Sequence, residues 1–145
     1  MEAFGATAAS PQDLVTRAAV HDLVVGFYRE IVNDDLLGPV FDEVAEVDWA
    51  EHIPVLIDYW SRILVDEDGP SHPIVAAHRH LHAKEPLRAA HCDRWWHLWC
   101  ESLDSGWVGP GAERAKDHAA SLMRGMAKHV FGFDWSPSEP AVRAL

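Results

Sequence analysis

Apolar residues recur along this chain three and four positions apart, the spacing that lines up one face of an α-helix, and no stretch alternates with a period of two. The first clear stripe is Val20, Leu23, Val24, Phe27, Tyr28 and Ile31, which predicts a helix to about Asn33 and turns Tyr28 inward with the hydrophobes. Ser10 as N-cap, Pro11 at the first helical position and Asp13 in the first turn predict where that helix starts. DDLLGPVF, residues 34–41, carries Gly38 and Pro39 and reads as a turn that delivers Phe41 to the core. Asp48 then predicts the cap of a second helix, Trp49 to about Val65, with Glu51 placed as in a capping box and Pro54 bending or loosening the helix beginning. His52, Leu56, Tyr59, Trp60 and Ile63 mark its inner side.

DEDGPSHP, residues 66–73, is a turn-rich loop, followed by a short helix that ends near His82 and by the break AKEP. Leu87 to about Ser105 forms an aromatic helix with His91, Trp95, Leu98 and Trp99 at helical spacing, and GWVGPG stops it. A last helix, Ala112 to Val130, carries Ala115, Ala119, Leu122, Met123 and Met126 on one face. Residues 1–10 read as a loose leader, 11–131 as one helical domain and 132–145 as an irregular tail. The expected fold is all-α, with four substantial helices and one short one.

Composition narrows the function classes. With 23 acidic against 12 basic residues and a net charge of −11, the chain opposes phosphate backbones, so nucleic acid is not an expected partner. At 48% apolar content with no run near the ~18 residues of a membrane span, the chain is expected to be a soluble protein away from membranes. The N-terminal MEAFGATAASPQ lacks a secretory pattern, which predicts the cytoplasm. Cys92 and Cys100 lie too far apart on one helix for a disulfide and read as free thiols.

The stretch from Pro73 to Trp99 packs five histidines and three tryptophans together. Ile74, Val75, His78 and Leu81 share one predicted face, so the imidazole of His78 projects from an apolar stripe and needs a partner. That partner is another polar group of the protein, a non-haem metal, or the iron of a haem. His80, roughly 200° away around the helix, is expected to face solvent, whereas His82, about 40° away, is a rival ligand. GxSxG, P-loop, GxGxxG and HExxH motifs are all missing, so no catalytic residue is assigned.

Four strings, FYREIVNDDLLGPVF (27–41), DWAEHIPVLIDYW (48–60), HPIVAAH (72–78) and HCDRWWHLW (91–99), resemble the truncated haemoglobins in that order and at that family's intervals, most closely its third group. The resemblance covers about residues 18–131 and implies a shortened globin fold in which two antiparallel helix pairs sandwich a haem, an iron protoporphyrin. It implies His78 as the iron ligand, Phe41 and Trp60 against the haem, and Tyr28, His52, Leu56 and Trp95 on the distal side. Three features depart from the family pattern: a Pro73–His78 interval one residue longer than in some members, the second imidazole His82, and Pro54 beside the distal region. The implied partners are dioxygen, nitric oxide or carbon monoxide, with an unidentified reductase if the protein turns over nitric oxide or peroxide.

A diatomic ligand in such a pocket takes on partial negative charge, so a buried phenol O–H or indole N–H aimed at it forms a bond worth roughly 1.5–3 kcal/mol. Tyr28 and Trp95 are donors of that kind. His52 has four readings: a further donor, a swinging gate, a sixth iron ligand, or a solvent-facing side chain. His21, His72, His91, His97, His118 and His129 are expected to be spectators. Two other functions compete. A non-haem metal site in a helical bundle needs a Glu-x-x-His pair, which the chain lacks; a cofactor-free interaction module needs exposed Trp95, Trp96 and Trp99.

Overall fold

A threonine starts the first helix. The Thr16 hydroxyl accepts the Ala19 amide at 3.1 Å, and α1 runs Arg17–Val32 with all six residues of the predicted stripe buried. The computed structural model describes residues 12–65 and 74–138. The leader, the Ser10 cap, Pro11, the 66–73 loop with His72 and Pro73, and the chain past residue 138 lie outside the described residues.

Asp13 does not sit in a helical turn, which corrects the expected start of α1. Its carboxylate instead accepts the amides of Gly111 at 3.0 Å and Ala112 at 2.9 Å, together with its neighbour Leu14 at 2.8 Å. It thereby caps the N-terminus of the last helix from the other end of the chain, where unpaired amides favour an anion. Two glycines make room. Gly109 has φ +126, a left-handed conformation, and a Cβ on Gly111 would come within 2.7 Å of both the Asp13 carboxylate and the Leu14 carbonyl. Beside this cap, the Val108 amide donates to the Gln12 carbonyl at 2.9 Å, the one extended pairing among the described residues.

After α1, Asp34 accepts the amides of Leu36 and Leu37 at 3.0 and 2.9 Å and folds the chain back. The expected turn holds over residues 35–37, but from Gly38 the chain is helical: Val40–Val44 form one π-helical turn, and Phe41 leans on the core from it. α2 is Trp49–Leu64, capped by the Asp48 side chain on the Ala50 amide at 3.0 Å, and it continues through Pro54. α3 is Ile74–Lys84, α4 is Ala89–Gly106 and α5 is Pro110–Met126, which runs on into a π-helical turn at Ala127–Phe131.

α1 packs on α2 and α4, and α4 on α5. Their shared core holds Phe27, Ile31, Trp60, Trp99 and Leu103 and the small residues Ala112, Ala115 and Ala119, whose size lets α5 approach closely. A second cluster joins Val40, Leu87, Cys92, Met126, Phe131 and Trp135. Trp135 belongs to the irregular tail, yet it is buried and its indole N–H donates to Asp93 at 2.9 Å. Both cysteines are buried and neither is in a disulfide.

Candidate functional site

The two clusters do not close on each other. Between them lies a cavity of about 520 Å³ whose walls are mostly apolar, within the ~300–1,000 Å³ range of small-molecule and cofactor sites. α1 contributes Tyr28, the π-turn Val40 and Phe41, and α2 His52, Leu56, Tyr59 and Trp60. α3 adds Ile74, Ala77, His78 and Leu81, α4 adds His91, Cys92 and Trp95, and α5 adds Ala119, Leu122, Met123 and Met126. Every candidate site residue named from the sequence, Tyr28, Phe41, His52, Leu56, Trp60, His78 and Trp95, lines this one space.

α3 forms one wall. Its cavity side is Ile74, Ala77, His78 and Leu81, with His80 and Lys84 along one edge. At about 100° per residue that face leaves Val75 on the far flank, where it is 46% exposed. This corrects the expectation that Val75 shares the inward face. His78 is half-buried, and its Nδ1–H donates to the Ile74 carbonyl one turn back at 2.8 Å. Nε2 is then the unprotonated nitrogen, with no partner among the described residues, and the ring is held in a single tautomer. Burial holds the His78 pKa below the usual imidazole range, partly offset by the Ile74 carbonyl, so the ring is neutral at neutral pH.

His82 is committed elsewhere. Its Nδ1 accepts the Leu87 amide at 2.9 Å, and its ring lies 5.3 Å from that of Phe131. It bridges the break before α4 and does not line the cavity. His91, expected to be a spectator, does line it. Its Nδ1 accepts the Arg88 amide at 2.9 Å, capping α4 in the place of the usual Ser or Asp. An imidazole in this capping role has no strong sequence signal, which is why spacing alone missed it.

Opposite α3 stand the donors. Burial drives the Tyr28 hydroxyl pKa far upward, against the pull of a hydrogen bond with Trp95, so the phenol stays protonated and these two polar groups meet at one place. The Tyr28 ring is 5.9 Å from His52, 5.8 Å from Phe41 and 5.6 Å from Trp49. His52 is half-buried in this ring cluster, its imidazole without a hydrogen bond to any described residue, and burial together with nearby His78 lowers its pKa. Trp96, beside Trp95 in sequence, turns away: its indole N–H points to the Ser138 carbonyl at 3.4 Å. Cys92 is chemically quiet, its thiol pushed up to about 12 by burial and by Asp93.

Chemically the cavity offers the neutral His78 lone pair on one wall, the His52 imidazole and hydrogen-bond donors on other elements, and apolar surface between. Among the described residues no group of three or more His, Cys, Asp or Glu side chains is placed to hold a metal by itself. Among the described residues no helix is long and apolar enough to cross a membrane.

The architecture is all-α with the shortened globin fold. It is similar to the crystal structure of a group III truncated hemoglobin from Campylobacter jejuni, with a TM-score of 0.73 and 18% sequence identity, covering 84% of this chain and 96% of that one. At that identity the likeness is one of fold. No family model matches the chain, and no curated protein matches it.

Proposed function

We propose that this chain is a haem protein that binds dioxygen or another diatomic ligand, with His78 as the proximal ligand. The carrying observation is the His78–Ile74 hydrogen bond, which leaves Nε2 as a free lone pair on the wall of an apolar cavity. The residues fit the group: the His78 imidazole as donor, apolar and aromatic walls from Phe41, Leu56 and Trp60, and Lys84 at the rim where a cofactor's carboxylates would meet a cation, with His80 beside it. A haem supplies an iron with an open coordination position. The chain supplies the rest: Tyr28 and Trp95 donate hydrogen bonds to the bound molecule, Leu56 keeps the space dry, and His52 stands at the cluster's edge as a gate.

The donor pair also suits redox chemistry on nitric oxide or peroxide, because donors that hold a partly charged ligand also polarise it. The deciding measurement is the absorption spectrum of the purified chain, ferric and ferrous, with and without carbon monoxide. A one-to-one haem complex that forms a carbon monoxide adduct is the expected result; a colourless chain that takes up no added haemin overturns it.

A further inference from the structure

A continuous set of aromatic contacts runs through the cavity wall: Trp95, Trp60 and Tyr59 line the cavity and Trp99 lies behind them. Trp95 stacks on Trp99 with ring centres 5.4 Å apart and planes 12° from parallel. Trp99 stacks on Trp60 at 4.5 Å and 29°, and Trp60 meets Tyr59 edge-on at 5.4 Å. Trp99 is fully buried and its indole N–H is fixed on the Ala115 carbonyl at 3.1 Å, so the stack is rigid. The set ends on a base. The Tyr59 hydroxyl lies 2.6 Å from Nε2 of His118, to which it donates when the imidazole carries its proton on Nδ1.

We propose that Trp95, Trp99, Trp60 and the Tyr59–His118 pair form a one-electron relay by which the protein oxidises small phenol-type donors at Tyr59 at the expense of a peroxide in the cavity. This rests on the haem reading for the site that consumes the peroxide. Indoles and phenols are the side chains most readily oxidised by one electron, and ring contacts this short let a vacancy pass between them. An oxidised phenol is a strong acid, so Tyr59 gives up its electron easily only where a base takes the proton; Tyr28, which meets an indole donor, lacks that base. Burial holds the His118 pKa down and the Tyr59 pKa up, so at neutral pH the base is empty and the phenol protonated. Both side chains are half-buried, so part of the pair stays accessible, and Tyr59 presents one side to the cavity.

The balance closes. One electron leaves Tyr59 through Trp60, Trp99 and Trp95 while its proton moves to Nε2 of His118. A phenol donor at the surface then returns an electron to Tyr59, His118 returns the proton, and the donor's own proton goes to solvent. Over two such rounds one hydrogen peroxide takes two electrons and two protons and becomes two waters, and two phenols become phenoxyl radicals.

Two experiments on the full chain test this. In the haem-loaded protein mixed with hydrogen peroxide and rapidly frozen, electron paramagnetic resonance should show a tyrosyl signal that persists in Tyr28→Phe and disappears in Tyr59→Phe. Pulse radiolysis with azide radicals reads the relay without haem: indolyl absorbance should convert to phenoxyl absorbance in a first-order, concentration-independent step. That step should vanish in Tyr59→Phe and slow roughly a hundredfold in His118→Gln, which keeps a hydrogen-bond partner but loses the base. Unchanged conversion in Tyr59→Phe overturns the relay. A chain that refuses haem yet shows the Tyr59-dependent step keeps the relay and overturns the haem reading instead.

Discussion

His82 and Leu87 are tied across the break between α3 and α4: the Leu87 amide donates to Nδ1 of His82 at 2.9 Å, and the ring that accepts it rests near Phe131. The two histidines of α3 that rival each other by sequence therefore do different things. His78→Gly should abolish haem retention or make it depend on added imidazole. His82→Ala should keep haem and lose about 1–2 kcal/mol of stability, because a half-buried amide loses its acceptor. Paired haem titrations and urea melts of the two variants check this; haem loss confined to His82→Ala would reverse the assignment.

Tyr28 and Trp95 meet at the cavity wall, where the indole N–H donates to the phenol oxygen and leaves the Tyr28 O–H free to donate to a ligand, while Trp95 reaches a ligand by turning its N–H from Tyr28. Tyr28→Phe and Trp95→Phe remove a donor and keep an aromatic ring, and dioxygen dissociation should accelerate about tenfold for each 1.4 kcal/mol lost. Trp96→Phe should leave the rate unchanged, since its indole serves Ser138. Stopped-flow dissociation rates that do not move in either of the first two variants would remove the proposed role.

The His52 ring sits among Tyr28, Phe41 and Trp49 and makes no hydrogen bond to a described residue, and Pro54 withholds an amide from the same helix. Little holds the ring in place. His52→Ala should speed ligand entry more than escape in flash photolysis. A ferric spectrum showing two axial histidines, lost in His52→Ala, would instead make His52 an iron ligand.

Burial raises the Asp13 pKa, but the amides of Gly111, Leu14 and Ala112 and the Arg114 charge outweigh it, so the carboxyl ends below its ordinary value. A depressed folded pKa means stability that is present above the unfolded carboxyl value, near 4, and lost as pH falls through the folded value. Asp13→Ala should cost about 1–2 kcal/mol at pH 7, the usual range for a lost helix cap. Melting curves between pH 7 and pH 3 should show a smaller acid loss in the variant than in the parent. Gly111→Ala should also destabilise, since its Cβ would meet the same carboxylate at 2.7 Å.

Local physics was legible in the order of residues alone. The α1 stripe, the Asp48 cap, the GWVGPG break before α5 and the inward Tyr28, His78 and Trp95 all follow from periodicity or from bonds a few residues long, and the resemblance between residues 27 and 99 carried the globin fold. What the tertiary structure alone decided depends on partners far away in the chain. Asp13 looks like a first-turn residue until the amides of α5, 98 residues on, capture it. Val75 and His82 look as inward as His78 until the packing of α3 turns its cavity side toward Leu81 and Lys84. The contact between His118 and Tyr59 spans 59 residues and two helices, a separation at which no spacing rule operates, because only the packing of α2 against α5 brings the two rings together.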